Sequence, residues 1–243
     1  MVDVHCHILP QVDDGAKSWY IALNMCRIAF QDGITHIVAT PHANETYTFN
    51  REYLAAQLQE LSTRVDNAIS FSLGCDFHLS YDNLADAMAF PRRYTIDGGP
   101  YLLVEFSDFG IPPQVSNHLF GLRNMGITPI LTHPERNPIL QRNPEQVLAW
   151  VRHGCAVQVT ASAFTGFWGE TARRCALWLL EHEAVHVLAT DAHDDRRRTP
   201  VLSEALSVIS KRFGLGVARA LVDDNPGAIV AGQPLPFFYA AAS

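Results

Sequence analysis

His5 and His7 stand two residues apart near the start of the chain, and Asp13-Asp14-Gly15 follows closely. Val2, Val4, Cys6 and Ile8 alternate with Asp3, His5 and His7, the period-two pattern of a β-strand. In such a strand both imidazoles lie on one face and Cys6 on the other. Two imidazoles on a rigid strand can grip one cation, and the acidic turn brings carboxylates beside them. On its own the pair also suits the polar side of an edge strand, so the rest of the chain must decide.

Residues of the same chemistry recur after other apolar runs. His42 follows Ile37-Val38-Ala39-Thr40-Pro41, Asp76 follows Gly74-Cys75, and Glu105 follows Val104. His133 opens His133-Pro134-Glu135-Arg136 after Ile130-Leu131-Thr132, and Asp191 and His193 follow Val187-Leu188-Ala189-Thr190. With Asp14 this makes five imidazoles and four carboxylates. Gathered in one place they would repel and resist desolvation unless cations neutralised them. Imidazole and carboxylate ligands without thiolate suit manganese, iron or zinc. Because carboxylates bridge ions, nine ligands fit a di- or trinuclear cluster better than one isolated ion. Such a cluster activates water and stabilises in-line displacement at phosphorus. Arg136 and Arg198 are then the natural phosphate clamps, since guanidinium offers paired donors to phosphate oxygens.

The remaining histidines read differently. His36 and His186 lie within apolar runs and are expected to be packed or hydrogen-bonded. His118, His153 and His182 fall on helical segments and are expected at the surface, while His78 is placed to support Asp76. Phe109, Phe164 and Trp168 lie in loops and are candidates to receive an aromatic ring or to pack against the rim.

The elements that must position these residues follow from apolar patterning. Strands are predicted over 2–7, 34–40, 69–75, 101–106, 127–132, 155–160 and 185–190. Helices are predicted over Ser18–Asp32, Arg51–Asn67, Gln114–Met125, Pro144–His153 and Glu170–Glu183. Gly33, Gly126 and Gly154 follow three of these where a left-handed residue is favoured, and Asn143-Pro144 offers an N-cap and a first-turn proline to another. Strands alternating with helices, each strand almost continuously apolar, mean a parallel sheet covered by helices. Seven strands with no linker or repeat between them predict an α/β fold closed as a (β/α) barrel, a single domain over residues 1–243. In a parallel barrel the carboxyl ends of all strands converge on one face, where the nine candidate ligands would meet. The alternative, an open doubly wound sheet binding a dinucleotide, wants a glycine-rich loop after the first strand, where this chain has Ile8-Leu9-Pro10.

Bulk composition narrows the classes further. The chain has 243 residues, 48% of them apolar and 18% charged, and a net charge of −7. That is the balance of a globular protein with a sizeable core, and it argues against a nucleic-acid partner. The basic cluster Arg196-Arg197-Arg198 directly follows Asp194-Asp195. Five dispersed cysteines, odd in number and without a CxxC pair, predict free thiols in a reducing compartment. With no signal-peptide pattern and no apolar run long enough to span a bilayer, the expectation is a cytoplasmic protein without membrane insertion.

With these residues in view, the chain resembles the polymerase-and-histidinol-phosphatase (PHP) superfamily, and within it the bacterial capsule and exopolysaccharide tyrosine phosphatases. The similar segments are His5-Cys6-His7-Ile8-Leu9-Pro10 with Asp13-Asp14-Gly15; Gly33-Ile34 through Ala39-Thr40-Pro41-His42; Leu103-Val104-Glu105-Phe106; Thr132-His133-Pro134-Glu135-Arg136-Asn137; Thr190-Asp191-Ala192-His193 with Arg198-Thr199-Pro200; and Asn225-Pro226. They span nearly the whole chain in order and spacing. The resemblance implies a distorted (β/α)7 barrel of the PHP type with three divalent ions, usually manganese, where iron or zinc would also suit the donors. It implies that His5, His7 and Asp191 hold the first ion and that Asp76 bridges it to a second completed by Glu105 and His133. Asp14, His42 and His193 would hold the third, with Arg136 and Arg198 on the phosphate. One departure stands out: the family normally has glutamate where this chain has Asp76, one methylene shorter.

The activity expected on this basis is hydrolysis of a phosphate monoester, phosphotyrosine on a protein, with a bacterial tyrosine kinase of polysaccharide synthesis as the implied partner. Cysteine-based tyrosine phosphatase chemistry in its usual form is excluded, because no cysteine precedes an arginine by six positions. Two rivals remain at this point. One is a PHP phosphoesterase acting on a small molecule such as histidinol phosphate, or on nucleic-acid ends; the other is a metal-binding regulatory module without catalysis.

Overall fold

The computed structural model describes residues 1–65 and 68–238. Among the described residues there are nine strands: β1 (Val2–Cys6), β2 (His36–Ala39), β3 (His42–Ala43), β4 (Ser70–Leu73), β5 (Asp76–His78), β6 (Tyr101–Glu105), β7 (Thr128–Thr132), β8 (Ala156–Thr160) and β9 (Val187–Ala189). All pair in parallel, in the orders β1-β2-β4 and β3-β5-β6-β7-β8-β9. Each of the seven predicted strands is present, and the second and third are each followed by a further short strand, β3 and β5, that lies beyond the predicted ends. Pro41, which has no N–H to donate, separates β2 from β3, and Gly74-Cys75 separates β4 from β5. The ladder therefore jumps from Ala39↔Leu73 to His42↔Asp76, which places these two candidate ligands side by side. A parallel bridge between Cys6 and Ala192 links β1 to the chain just past β9 and closes the barrel. The result is a distorted seven-stranded barrel whose strands follow one another around the ring in chain order.

The helices that cover it are α1 (Trp19–Asp32), α2 (Arg51–Arg64), α3 (Tyr81–Ala89), α4 (Val115–Asn124), α5 (Glu145–Arg152), α6 (Ala161–Phe164), α7 (Gly169–Glu181), α8 (Ser203–Phe213), α9 (Leu215–Arg219) and α10 (Asn225–Val230). The five predicted helices are among them, with ends that agree within three residues; the last two residues predicted for α2, 66 and 67, lie outside the described residues. Ser18 caps α1 by accepting from the Ile21 N–H, and Gly33 ends it in the left-handed conformation. Gly126 and Gly154 are also left-handed, as predicted. At α5 the expected Asn143 cap does not form: Pro144 already has helical dihedrals and no side chain caps the first turn.

Two apolar clusters hold the layers together. The larger lies between the barrel wall and its helices and includes Cys6, Met25, Ile37, Leu102, Leu131, Val157 and Leu188. The smaller is built mainly from strand residues, Val4, Val38, Leu103, Ile130, Ala156, Val187 and Ala189, with Ile96 and Ile229 packed on it. Val4 and Cys6 thus belong to different clusters although simple alternation puts them on one face. The β1–β2 ladder shifts register between Asp3 and Cys6, and this irregularity resets the phase. No helix among the described residues is long and apolar enough to cross a membrane.

Candidate metal centre

β1 delivers His5, and the residue just past its end is His7; both are buried, with their Nε2 atoms 3.2 Å apart. Each ring is held from behind. Nδ1 of His5 donates to Gln158 Oε1 at 2.9 Å, and Nδ1 of His7 donates to Asp13 Oδ2 at 2.7 Å. A carboxylate can only accept, so the second bond fixes the tautomer of His7 and turns its Nε2 lone pair toward the centre. Asp13 also accepts from the backbone N–H of His42 and, through Oδ1, of Gly15. Sequence reasoning assigned no role to Asp13 or Gln158. The signals were an acidic pair at the turn and one amide inside the otherwise apolar Ala156–Thr160 strand.

The carboxylates face these imidazoles. Asp76 Oδ2 lies 3.4 Å from His5 Nε2, 4.0 Å from His7 Nε2 and 3.3 Å from His42 Nδ1. Asp191 Oδ1 lies 3.4 Å from His5 Nε2 and 3.5 Å from His7 Nε2. Asp14 Oδ1 stands between His42 Nε2 at 3.4 Å and His193 Nε2 at 3.5 Å. Glu105 reaches His42 Nδ1 and His133 Nε2, both at 3.7 Å, and His78 Nδ1 at 3.6 Å.

All nine sequence-predicted positions therefore converge. Three overlapping groups present ligand atoms within 4.8 Å of one another: His7, Asp14, His42 and His193; His5, His7 and Asp76; and His42, Asp76 and Glu105. Asp191 and His133 flank them. The overlap is greater than three separate ligand sets, because the His42 ring lies between Asp14 on one side and Asp76 and Glu105 on the other. His42 Nδ1 and Asp76 Oδ2 are buried without a hydrogen-bond partner although they face each other. Such orphaned atoms, in a set of imidazoles and carboxylates free of thiolate, fit divalent cations. The five cysteines are buried free thiols.

Electrostatics separate the imidazoles. Burial alone would depress His5, but Asp76 and Asp191 carry its pKa up to about 9. Burial also opposes charge on His42, and Asp14, Asp76 and Glu105 raise it to about 9. His7 is lowered to about 4 by burial and by His193. Burial and Arg136 lower His133 to about 3. Burial and Asp76 push Glu105 up, whereas the neighbouring imidazoles hold Asp14 and Asp76 down and Arg136 and His5 hold Asp191 down.

The backbone contributes too. His133 (φ 35°) and Asp191 (φ 50°) occupy the left-handed region that side chains seldom adopt. Both are locked by backbone bonds, His133 N–H to Gln158 O at 2.9 Å and Asp191 N–H to His5 O at 2.8 Å. Strain at such positions concentrates at functional sites.

Arg136 and Arg198 come from the loops after β7 and β9, and both donate to Asp191 Oδ2. The Arg136 guanidinium lies 3.8 Å from the centre of the Trp168 ring and that of Arg198 at 5.3 Å. Of the aromatic residues considered to receive a ring, Phe164 is buried and so unavailable. Trp168 has a face covered by Arg136, whereas Phe109 is fully exposed. Its loop is held by Asn137, whose Nδ2 donates to Ser107 O and Asp108 Oδ1. His36 sits between the Ser70 and Ser72 hydroxyls, and His186 is buried with Nδ1 accepting from the Val157 N–H. His153 and His182 are exposed and His118 partly so.

A family profile described as capsular polysaccharide synthesis, CpsB/CapC, matches residues 1–231. The chain belongs to the CpsB/CapC family. It is 32% identical over 228 residues to the tyrosine-protein phosphatase YwqE of Bacillus subtilis, covering 92% of this chain and 89% of that one. It is 29% identical over 242 residues to the tyrosine-protein phosphatase CpsB of Streptococcus pneumoniae, covering 96% and 99%. A crystal structure from work on those two proteins, described as unique metal-dependent tyrosine phosphatases, superposes with a TM-score of 0.91 over 97% of this chain and 96% of that one, at 29% identity. A phosphotriesterase homology protein from Escherichia coli, solved with phosphate in its active site, shares the fold at a TM-score of 0.60 and 10% identity, over 93% of this chain and 96% of that one. Within the CpsB/CapC family, then, this chain carries its polar cluster on the same barrel as its phosphatase relatives.

Proposed function

We propose that the chain, as a single domain over residues 1–243, is a metal-dependent phosphomonoester hydrolase acting on phosphotyrosine in protein, in the regulation of capsule or exopolysaccharide synthesis. The observation that carries this reading is the convergence of three overlapping imidazole–carboxylate groups beside two guanidiniums tied to one carboxylate. Three divalent ions, manganese in our reading, would be held by His5, His7 and Asp191; by Asp76, Glu105 and His133; and by Asp14, His42 and His193. Bound there, the ions supply an activated water and neutralise phosphate charge.

The chain's own residues do the rest. Arg136 and Arg198 present donors to the phosphate oxygens and stabilise the charge that builds on them in the transition state. Asp191 aligns both guanidiniums through Oδ2 while Oδ1 faces His5 and His7. Asp13 and Gln158 hold the imidazoles of His7 and His5 in register. A phenolate is a good leaving group, so no side chain is assigned to protonate it. A bacterial tyrosine kinase of polysaccharide synthesis, in the cytoplasm, is the partner that the likeness to the capsule tyrosine phosphatases implies; the acidic net charge of −7 speaks against nucleic acid.

The test is elemental analysis of the purified protein with turnover measured on a phosphotyrosine peptide, histidinol phosphate and a short oligonucleotide. Three bound ions and preference for the peptide are expected. Preference for histidinol phosphate would move the substrate to small molecules, and full metal loading without turnover on any phosphoester would leave a binding module.

A further inference from the structure

Arg136 and Arg198 bring two positive charges to one carboxylate oxygen. Arg198 Nη2 also donates to Asp191 O at 3.0 Å and Arg136 Nη1 to Thr160 Oγ1 at 3.4 Å, bonds that hold guanidinium edges and leave the faces to be supported. Nε of Arg198 is buried without a hydrogen-bond partner. The indole of Trp168 supplies a flat surface, with Arg136 at 3.8 Å and Arg198 at 5.3 Å from its centre. An aromatic face is the negative end of the ring quadrupole and attracts guanidinium, most strongly when water is excluded. The ring is itself fixed. Its Nε1–H donates to Ser162 Oγ at 2.9 Å, and the Phe167 ring meets it edge-on at 5.1 Å. Ser162 lies on α6, the single turn that directly follows β8, so the indole is referenced to the barrel itself.

We propose that Trp168 is a positioning residue for phosphate: a shelf that sets the planes of Arg136 and Arg198 so that both present donors to one phosphate group. It acts through the arginines and does not touch the reacting atoms. The inference rests on the phosphate-binding role of the two arginines given above.

The test compares wild-type protein, Trp168→Met, which fills space without an aromatic face, and Trp168→Phe, which keeps one. Binding of inorganic phosphate to the manganese-loaded protein is measured by calorimetry, alongside metal content and turnover of a phosphotyrosine peptide. Trp168→Met is expected to weaken phosphate binding about tenfold, and Trp168→Phe no more than about threefold, at unchanged metal content. The KM for the peptide should rise in parallel with the phosphate dissociation constant, with kcat changed less. A Met variant that binds phosphate within about twofold of wild type overturns the shelf, as does a Phe variant as weak as Met. So does a wild-type protein that binds no phosphate. Should Trp168→Met fail to fold, Ser162→Ala gives the same readout, since it removes only the bond that holds the ring, with a loss of about threefold expected and no change overturning the proposal. Wild-type protein that binds phosphate yet hydrolyses no phosphoester would defeat the phosphatase reading while the phosphate arm still decides the shelf.

Discussion

The carboxylate of Asp13 lies 2.7 Å from Nδ1 of His7, on the side of the ring away from Asp76 and Asp191. The same oxygen accepts the backbone N–H of His42, so one acid orients one candidate ligand and tethers the strand that carries another. Asp13→Asn replaces an acceptor-only group with an amide and weakens that hold. Loss of such an outer contact typically costs about 10–100-fold in metal affinity or activity. Titration of the metal-stripped variant with manganese, followed by turnover, checks this; affinity equal to wild type would show that Asp13 does not orient His7.

Gly15 allows the turn to close on His7. A Cβ at Gly15 would run into the His7 carbonyl oxygen and come within 2.5 Å of the His7 Cβ. Both belong to the buried residue that directly follows β1 and cannot move aside cheaply. Gly15→Ala should therefore lower stability by about 1–3 kcal/mol, the usual cost of overpacking, and reduce metal occupancy with it. Thermal melting and metal content of the purified variant are the measurements.

Asp76 is fully buried at the meeting point of His5, His7 and His42. Asp76→Asn keeps its shape but removes the charge that balances those imidazoles, and turnover should fall by more than about 100-fold with a loss of bound metal. Elemental analysis showing a full complement of metal in this variant would remove Asp76 from the ligand set.

His186 is buried away from the cluster, and desolvation lowers its pKa to about 4 from 6.5. The unfolded chain takes up a proton near pH 6.5 that the folded chain refuses until about pH 4. Stability from this group is thus fully present above pH 6.5 and is lost as pH falls toward 4, up to about 3 kcal/mol. His186→Gln, which retains an acceptor for the Val157 N–H, should flatten that part of the acid decline. Urea midpoints at pH 7 and pH 5 for both proteins test it; parallel declines would mean that His186 is not the group responsible.

Much of this was legible in the chain. Apolar runs ending in His, Asp or Glu located the seven strands, and the barrel's parallel closure brought those ends together. The identity of the helpers was not legible. Asp13 and Gln158 act through contacts with His7 and His5, 6 and 153 residues apart in sequence. The breaks that set His42 beside Asp76 could be suspected from Pro41 and Gly74, but the register that makes them neighbours belongs to the sheet. They also bear on the shorter Asp76 side chain, since its oxygen already stands 3.3–4.0 Å from three imidazoles. Trp168 could be read only as receiving an aromatic ring or packing against the rim, because sequence gives no hint that Arg136 covers its face.

The left-handed turns at His133 and Asp191 are pinned by hydrogen bonds from neighbouring strands, to Gln158 and His5 respectively. The barrel's own ladder, not an incoming ion, therefore dictates where these side chains start. The frame of the cage is thus expected to form with the polypeptide, leaving cations to neutralise the side chains it gathers. This is the reverse of a zinc finger, whose chain is unfolded without its metal. A chelator should accordingly silence the protein while leaving its circular dichroism intact, and added manganese should restore turnover without a refolding step.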